Sequence, residues 1–82
     1  MTISELLHTM VYSIVDDTEH VKIEETTEES GLSFIISVAK DDVGKLIGTQ
    51  GRIASSIRGV MKAAGAKQKV RVMVNVSKLP LE

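Results

Sequence analysis

The sequence predicts an α+β fold with element order α-β-β-α-α-β, a three-stranded mixed sheet carrying three helices on one face. Three observations lead there. Apolar residues recur at helical spacing near the N-terminus and again over 43–64. They alternate at strand spacing over 20–26, 32–38 and 70–76. A helical crossover separates the second strand from the third, which makes those two parallel neighbours and gives the sheet order 1-2-3.

The first helix is expected at 3–16. Thr2 and Glu5 have capping-box spacing, so each can bond the other's backbone N–H. Ile3, Leu6, Leu7, Met10, Val11, Ile14 and Val15 then form one apolar stripe. Asp16-Asp17-Thr18-Glu19 ends the helix, because acids oppose the dipole at a C-terminus. In the first strand, at 20–26, Val21 and Ile23 alternate with Lys22 and Glu24. Thr27-Glu28-Glu29-Ser30-Gly31 has the composition of a turn. Leu32, Phe34, Ile36 and Val38 follow as the second strand, antiparallel to the first. Ile35 makes it apolar on both faces, as suits a central strand.

Asp41 has the chemistry of an N-cap for a short helix at 42–48. A longer helix is expected at 52–64, its apolar stripe being Ile53, Ile57, Val60, Met61 and Ala64. Gly65 suits the left-handed residue that closes a helix. Val70, Val72, Val74 and Val76 alternate with Arg71, Met73 and Asn75 as the third strand. One domain over 1–77 is expected, with 78–82 as a loose tail containing Pro80. Leu81-Glu82 reads as the kind of dipeptide a cloning site leaves.

Composition narrows the function classes. Eighty-two residues make one small domain. There is no cysteine, which excludes disulfide, thiolate and zinc-thiolate chemistry and fits a cytoplasmic protein. No apolar run reaches membrane-spanning length, and the N-terminus lacks a basic leader. Net charge is −1, but it is unevenly spread. Residues 1–42 hold ten acids and two bases, a net of −8, and residues 43–82 hold eight bases and one acid, a net of +7. The basic half is a phosphate-facing surface in prospect.

That half contains Gly48-Thr49-Gln50-Gly51, between the two helical segments. Two glycines allow a sharp turn that exposes backbone N–H groups. The N-terminus of the following helix adds its unpaired N–H groups and its dipole, a seat for one or two phosphates. Lys45 and Arg52 flank the turn with charge. Ile47 and Ile53 add an apolar residue on each side of the turn, core packing being the simpler role for Ile53. Arg58 and Lys62 lie farther along the long helix and suit either contact with a phosphate-bearing ligand or a solvated face.

The run VGKLIGTQGRIASSIR resembles the GxxG core of a KH domain, a module that clamps about four nucleotides of single strand. Together with the chain length, it is similar to the bacterial KhpA family of small stand-alone KH proteins, over nearly the whole chain. The resemblance implies a type II KH fold and single-stranded RNA binding by Lys45, Ile47, Gly48, Thr49, Gln50, Gly51, Arg52, Ile53 and Arg58. It also implies a homodimer, or a heterodimer with a larger KH-domain RNA-binding protein, and a role as an RNA chaperone or post-transcriptional regulator tied to cell shape. Two departures stand out. Many such loops carry Lys or Arg between the glycines, whereas here Thr49 and Gln50 are neutral. Position 54, often a large aliphatic, is Ala54. With few aromatics to stack bases on, a single copy is expected to bind weakly.

The alternative is an adaptor that pairs with a larger RNA-binding partner and has little RNA affinity of its own. Ser55, Gly59 and Ala63 form a small-residue stripe on the long helix. A mid-helix glycine costs about 1 kcal/mol against alanine, and close approach of another helix would account for it. Catalysis is not expected. Gly44 to Gly48 lacks Walker spacing and no Lys-Ser or Lys-Thr follows Gly48. No nucleophile arrangement is suggested, and His8 and His20, without partners at metal-ligand spacing, read as surface histidines. No cofactor or metal is implied.

Overall fold

The computed structural model describes residues 2–78. Helix α1 (Ile3–Ile14) begins with the capping box in place. Glu5 N donates to Thr2 Oγ1 and Thr2 N to Glu5 Oε1, each at 3.0 Å. Ile3, Leu7, Val11 and Val15 turn inward from one face and are buried. The helix stops two residues earlier than expected, because Val15 is already extended. The N–H groups of Asp16 and Asp17 then leave the helical pattern for the Asp42 carboxylate, at 3.2 and 3.1 Å.

A single turn of 3₁₀ helix at Thr18–His20 leads into β1 (Lys22–Glu28), which runs antiparallel to β2 (Gly31–Val38). The expected five-residue turn shrinks to Glu29-Ser30. Gly31 makes this possible. Its φ is 142°, and a Cβ there would run into the Arg71 carbonyl, the same group that accepts from Leu32 N at 2.8 Å. Strand β3 (Val72–Lys78) pairs parallel to β2 in the order β1-β2-β3. It continues through Ser77 and Lys78, opposite Ser37 and Val38. The rest of the expected tail, residues 79–82, lies outside the described residues.

The helices cover one face of this mixed sheet. Phe34, Ile36 and Val38 of β2 and Val72 and Val74 of β3 are buried against them. The opposite face is open, so Ile35 and Met73 stay 40% and 37% exposed. Strand β2 is therefore central in order but covered on one side only. No helix among the described residues is long and apolar enough to cross a membrane.

Two expectations about α2 (Lys40–Ile47) and α3 (Arg52–Lys67) are corrected. Asp41 does not cap α2. Ala39 holds the N-cap position, and Asp41 lies inside the first turn. Gly65 does not close α3 in the left-handed region. It sits within the helix, buried, where a Cβ would strike the Val70 carbonyl and lie 2.6 Å from Val72 Cγ2. The left-handed residue is Lys69, at φ 60°. Packing of the helix against the start of β3, not helix termination, explains the glycine.

Candidate nucleic-acid interface

Helices α2 and α3 meet at the glycine turn as the sequence suggests, but its four residues are not equivalent. Gly48 ends α2 at φ 74°, ψ 178°, a region essentially closed to side-chain-bearing residues. Thr49–Gly51 make one 3₁₀ turn, with Gln50 left-handed at φ 56°, ψ 27° and Gly51 at φ 74°, ψ 15°. A Cβ on Gly48 would lie 2.6 Å from Ile53 Cγ1, whereas one on Gly51 would meet nothing within 4 Å. The first glycine thus lets Ile53 fold back over the turn, and the second faces open space.

Some of the turn's N–H groups are already engaged. Gly51 N donates to Gly48 O at 3.2 Å and Arg52 N to Thr49 O. This narrows the expected phosphate donors, Thr49 through Arg52, to the N–H groups of Thr49 and Gln50. Arg52 Nη2 reaches back to Gln50 Oε1 at 3.3 Å, which holds the guanidinium beside the turn. Ile47 and Ile53 are 40% and 37% exposed. Ile53 is therefore not a core residue. The buried positions of α3 are Ala54, Ile57, Met61 and Gly65, a stripe rotated away from Ile53 and Val60. Ala54 belongs to that buried face.

Lys45 is differently placed from Arg52. Its ammonium pairs with Asp16 and lies 3.6 Å from Asp42 Oδ1. These partners, the Asp16 carboxylate foremost, hold its pKa above the ordinary lysine value. Asp42 is only 2% exposed. The Asp17 N–H, then the Asp16 N–H and the Lys45 charge, hold its carboxyl below the usual range, against the opposing effect of burial. Lys45 and Asp42 thus tie the end of α1 to α2. Sequence reasoning missed this clamp, since Asp42 and Lys45 lie 25 or more residues from Asp16 and Asp17 and nothing local brings the two segments together.

Arg58 Nε donates to Val74 O on the edge strand β3 at 3.0 Å, away from the turn's own residues. Ser55, Gly59 and Ala63 are all exposed. A Cβ on Gly59 would meet nothing within 4 Å, so packing of α1 does not explain this glycine. His8 Nδ1 lies 2.8 Å from Ser4 O, and His20 Nδ1 lies 2.8 Å from Asp17, whose carboxylate raises the His20 pKa.

A family model described as "KhpA/KhpB, KH domain" matches residues 4–76. The chain is similar to a protein of Clostridium acetobutylicum named "RNA-binding protein KhpA", 44% identical over 72 residues, which are 88% of this chain and 96% of that one. Proteins of the same name from Caldanaerobacter subterraneus subsp. tengcongensis and Listeria monocytogenes are 40% and 36% identical over 88% of this chain and 96% and 95% of theirs. This is a family of KH domains and not of enzymes. With its α-β-β-α-α-β order and a glycine turn between α2 and α3, the chain belongs to the KhpA/KhpB KH-domain family.

Proposed function

We propose that this protein binds single-stranded RNA at the glycine turn and works in the cytoplasm as an RNA chaperone or post-transcriptional regulator. One observation carries the reading. Three of the turn's four residues, Gly48, Gln50 and Gly51, have positive φ, with open space around Gly51 and two exposed isoleucines beside the turn. Backbone strain kept at an open surface suits a site where another backbone comes close. The name shared by the relatives supports RNA as that partner.

In this reading the N–H groups of Thr49 and Gln50 meet one phosphate, and Arg52 supplies the nearby charge. Ile47 and Ile53 carry the faces of unstacked bases. Lys45 acts through the clamp that positions α2, and Arg58 acts from the β3 side. Changing Thr49 and Gln50 together to Asp places two carboxylates where the phosphate sits. Single-strand affinity should fall at least about tenfold, a loss of 1.4 kcal/mol or more. The thermal midpoint should hold, since both residues are exposed. The control Thr49→Ser with Gln50→Asn should bind as wild type, asparagine being tolerant of the left-handed region. Undiminished binding by the aspartate variant would rule out the turn as the RNA site.

The chain also pairs, in this reading, with a second copy or with a larger KH-domain partner through the face of Ser55, Gly59 and Ala63. The open space at Gly59 supports it. Two turns on one particle raise avidity without new RNA contacts. Gly59→Leu should sediment as a folded monomer, and an unchanged dimer would remove this face from consideration.

A further inference from the structure

We infer that the far end of α3 carries a second phosphate-contacting surface, formed by Lys62, Lys69 and Arg71, which receives the RNA strand beyond the glycine turn. This rests on the RNA reading above. Arg58 and Lys62 are neighbours one turn apart on α3, and Arg58 bonds to Val74 O, so this flank of the helix faces β3. Lys62 and Arg71 line one cavity of about 330 Å³ together with Ala66, Val70 and Val72. Arg71 also lines the adjoining cavity of about 360 Å³, this time with Lys69. The three cations therefore follow one another from the helix flank to the turn before β3.

Their charge is not spent within the chain. Among the described residues none of the three is ion-paired, whereas Lys22 and Lys45 both are. Lys69 adds a conformational argument. At φ 60° it occupies a region that costs a side-chain-bearing residue about 1–2 kcal/mol and glycine nothing. A cation standing where glycine would be unstrained fits selection for its charge. Glu28 and Glu29 line the cavity shared by Lys69 and Arg71 and bound the surface on the hairpin side, where they would repel a strand running farther. Along α3, whose 16 residues span about 24 Å, this surface begins at Lys62, about 15 Å from Arg52, and continues past the far end of the helix. A strand of about four nucleotides fills a KH clamp, so only a longer RNA would load both.

The test compares a uridine tetramer with a uridine dodecamer, on wild type and on the variant Lys62→Gln, Lys69→Gln, Arg71→Gln. For wild type, log K should fall with log salt more steeply for the dodecamer, by a slope difference of about 2, from three added contacts at roughly 0.7 each. The variant should bring the dodecamer slope down to that of the tetramer and leave tetramer affinity unchanged. Equal slopes for the two RNAs on wild type overturn the inference, and that measurement needs no variant to fold. Equal loss of both RNAs in a folded variant also overturns it, because the charges would then serve the turn itself. The Thr49→Asp, Gln50→Asp variant separates this inference from the reading it rests on. If that variant keeps tetramer binding, the turn has failed as the RNA site, while the slope difference still judges the basic surface on its own.

Discussion

At one end of α3 stand Gly48, Gln50 and Gly51. At the other stand Gly65 and Lys69. Each end has a glycine that a Cβ would crowd and a side-chain-bearing residue in the left-handed region. The surroundings differ. Gly65 is crowded by the backbone of β3's approach, whereas Gly48 is crowded by the side chain of one exposed isoleucine from its Cβ outward, and Gly51 faces nothing. A glycine with a full neighbourhood records how two elements pack. A glycine in a demanding conformation with an empty neighbourhood leaves room for something from outside the chain.

Substitutions can sharpen this contrast. Gly65→Ala should do the most damage. The added methyl meets a backbone carbonyl that cannot rotate away, and overpacking of this kind costs about 3 kcal/mol or more. Urea denaturation should show that loss, and the remaining folded protein should bind RNA as before. Gly48→Ala should cost about 2 kcal/mol from its backbone region and, unlike Gly65→Ala, should also weaken RNA binding by displacing Ile53 from over the turn. Gly51→Ala should cost least, about 1 kcal/mol, since only its φ opposes the methyl. If Gly65→Ala and Gly51→Ala lost equal stability, the distinction between the two ends of the helix would collapse.

The clamp on α1 yields a prediction with a defined sign. The Asp42 pKa is depressed in the folded chain, so its contribution to stability is present above the ordinary carboxylate value. It is lost as pH falls through the lower, folded value. Asp42→Asn should therefore be less stable at neutral pH and show a shallower loss of stability on acidification. Melting temperatures at neutral pH and across the carboxylate range test this, and parallel curves for the two proteins would contradict it.

Much of the fold was legible because it rests on periodicity. The α1 stripe, the alternation in β2 and β3 and the crossover were all in the pattern of apolar residues. Element ends were less so. The true end of α1 depends on Asp42, 25 residues away from Asp17, and the end of α3 on how Gly65 meets Val70. In the candidate site, the glycine turn was plain from its residues. The different employment of its two flanking cations was not. Lys45 and Arg52 look alike in sequence, and only the folded chain brings Asp16 and Asp42 to one of them. The exposure of Ile53 was likewise hidden, because its spacing from Ile57 fits the buried stripe as well as the flank beside it.

The bond from Arg58 to Val74 has a consequence for solubility. Strand β3 is an edge, and an edge offers unpaired backbone groups on which a second chain can build a cross-chain sheet. The guanidinium occupies one of those carbonyls and sets a positive charge beside the strand. An incoming strand would have to displace it, and two such edges would bring like charges together. Arg58 thus guards the side of the sheet where strands of successive molecules could otherwise zip into aggregates.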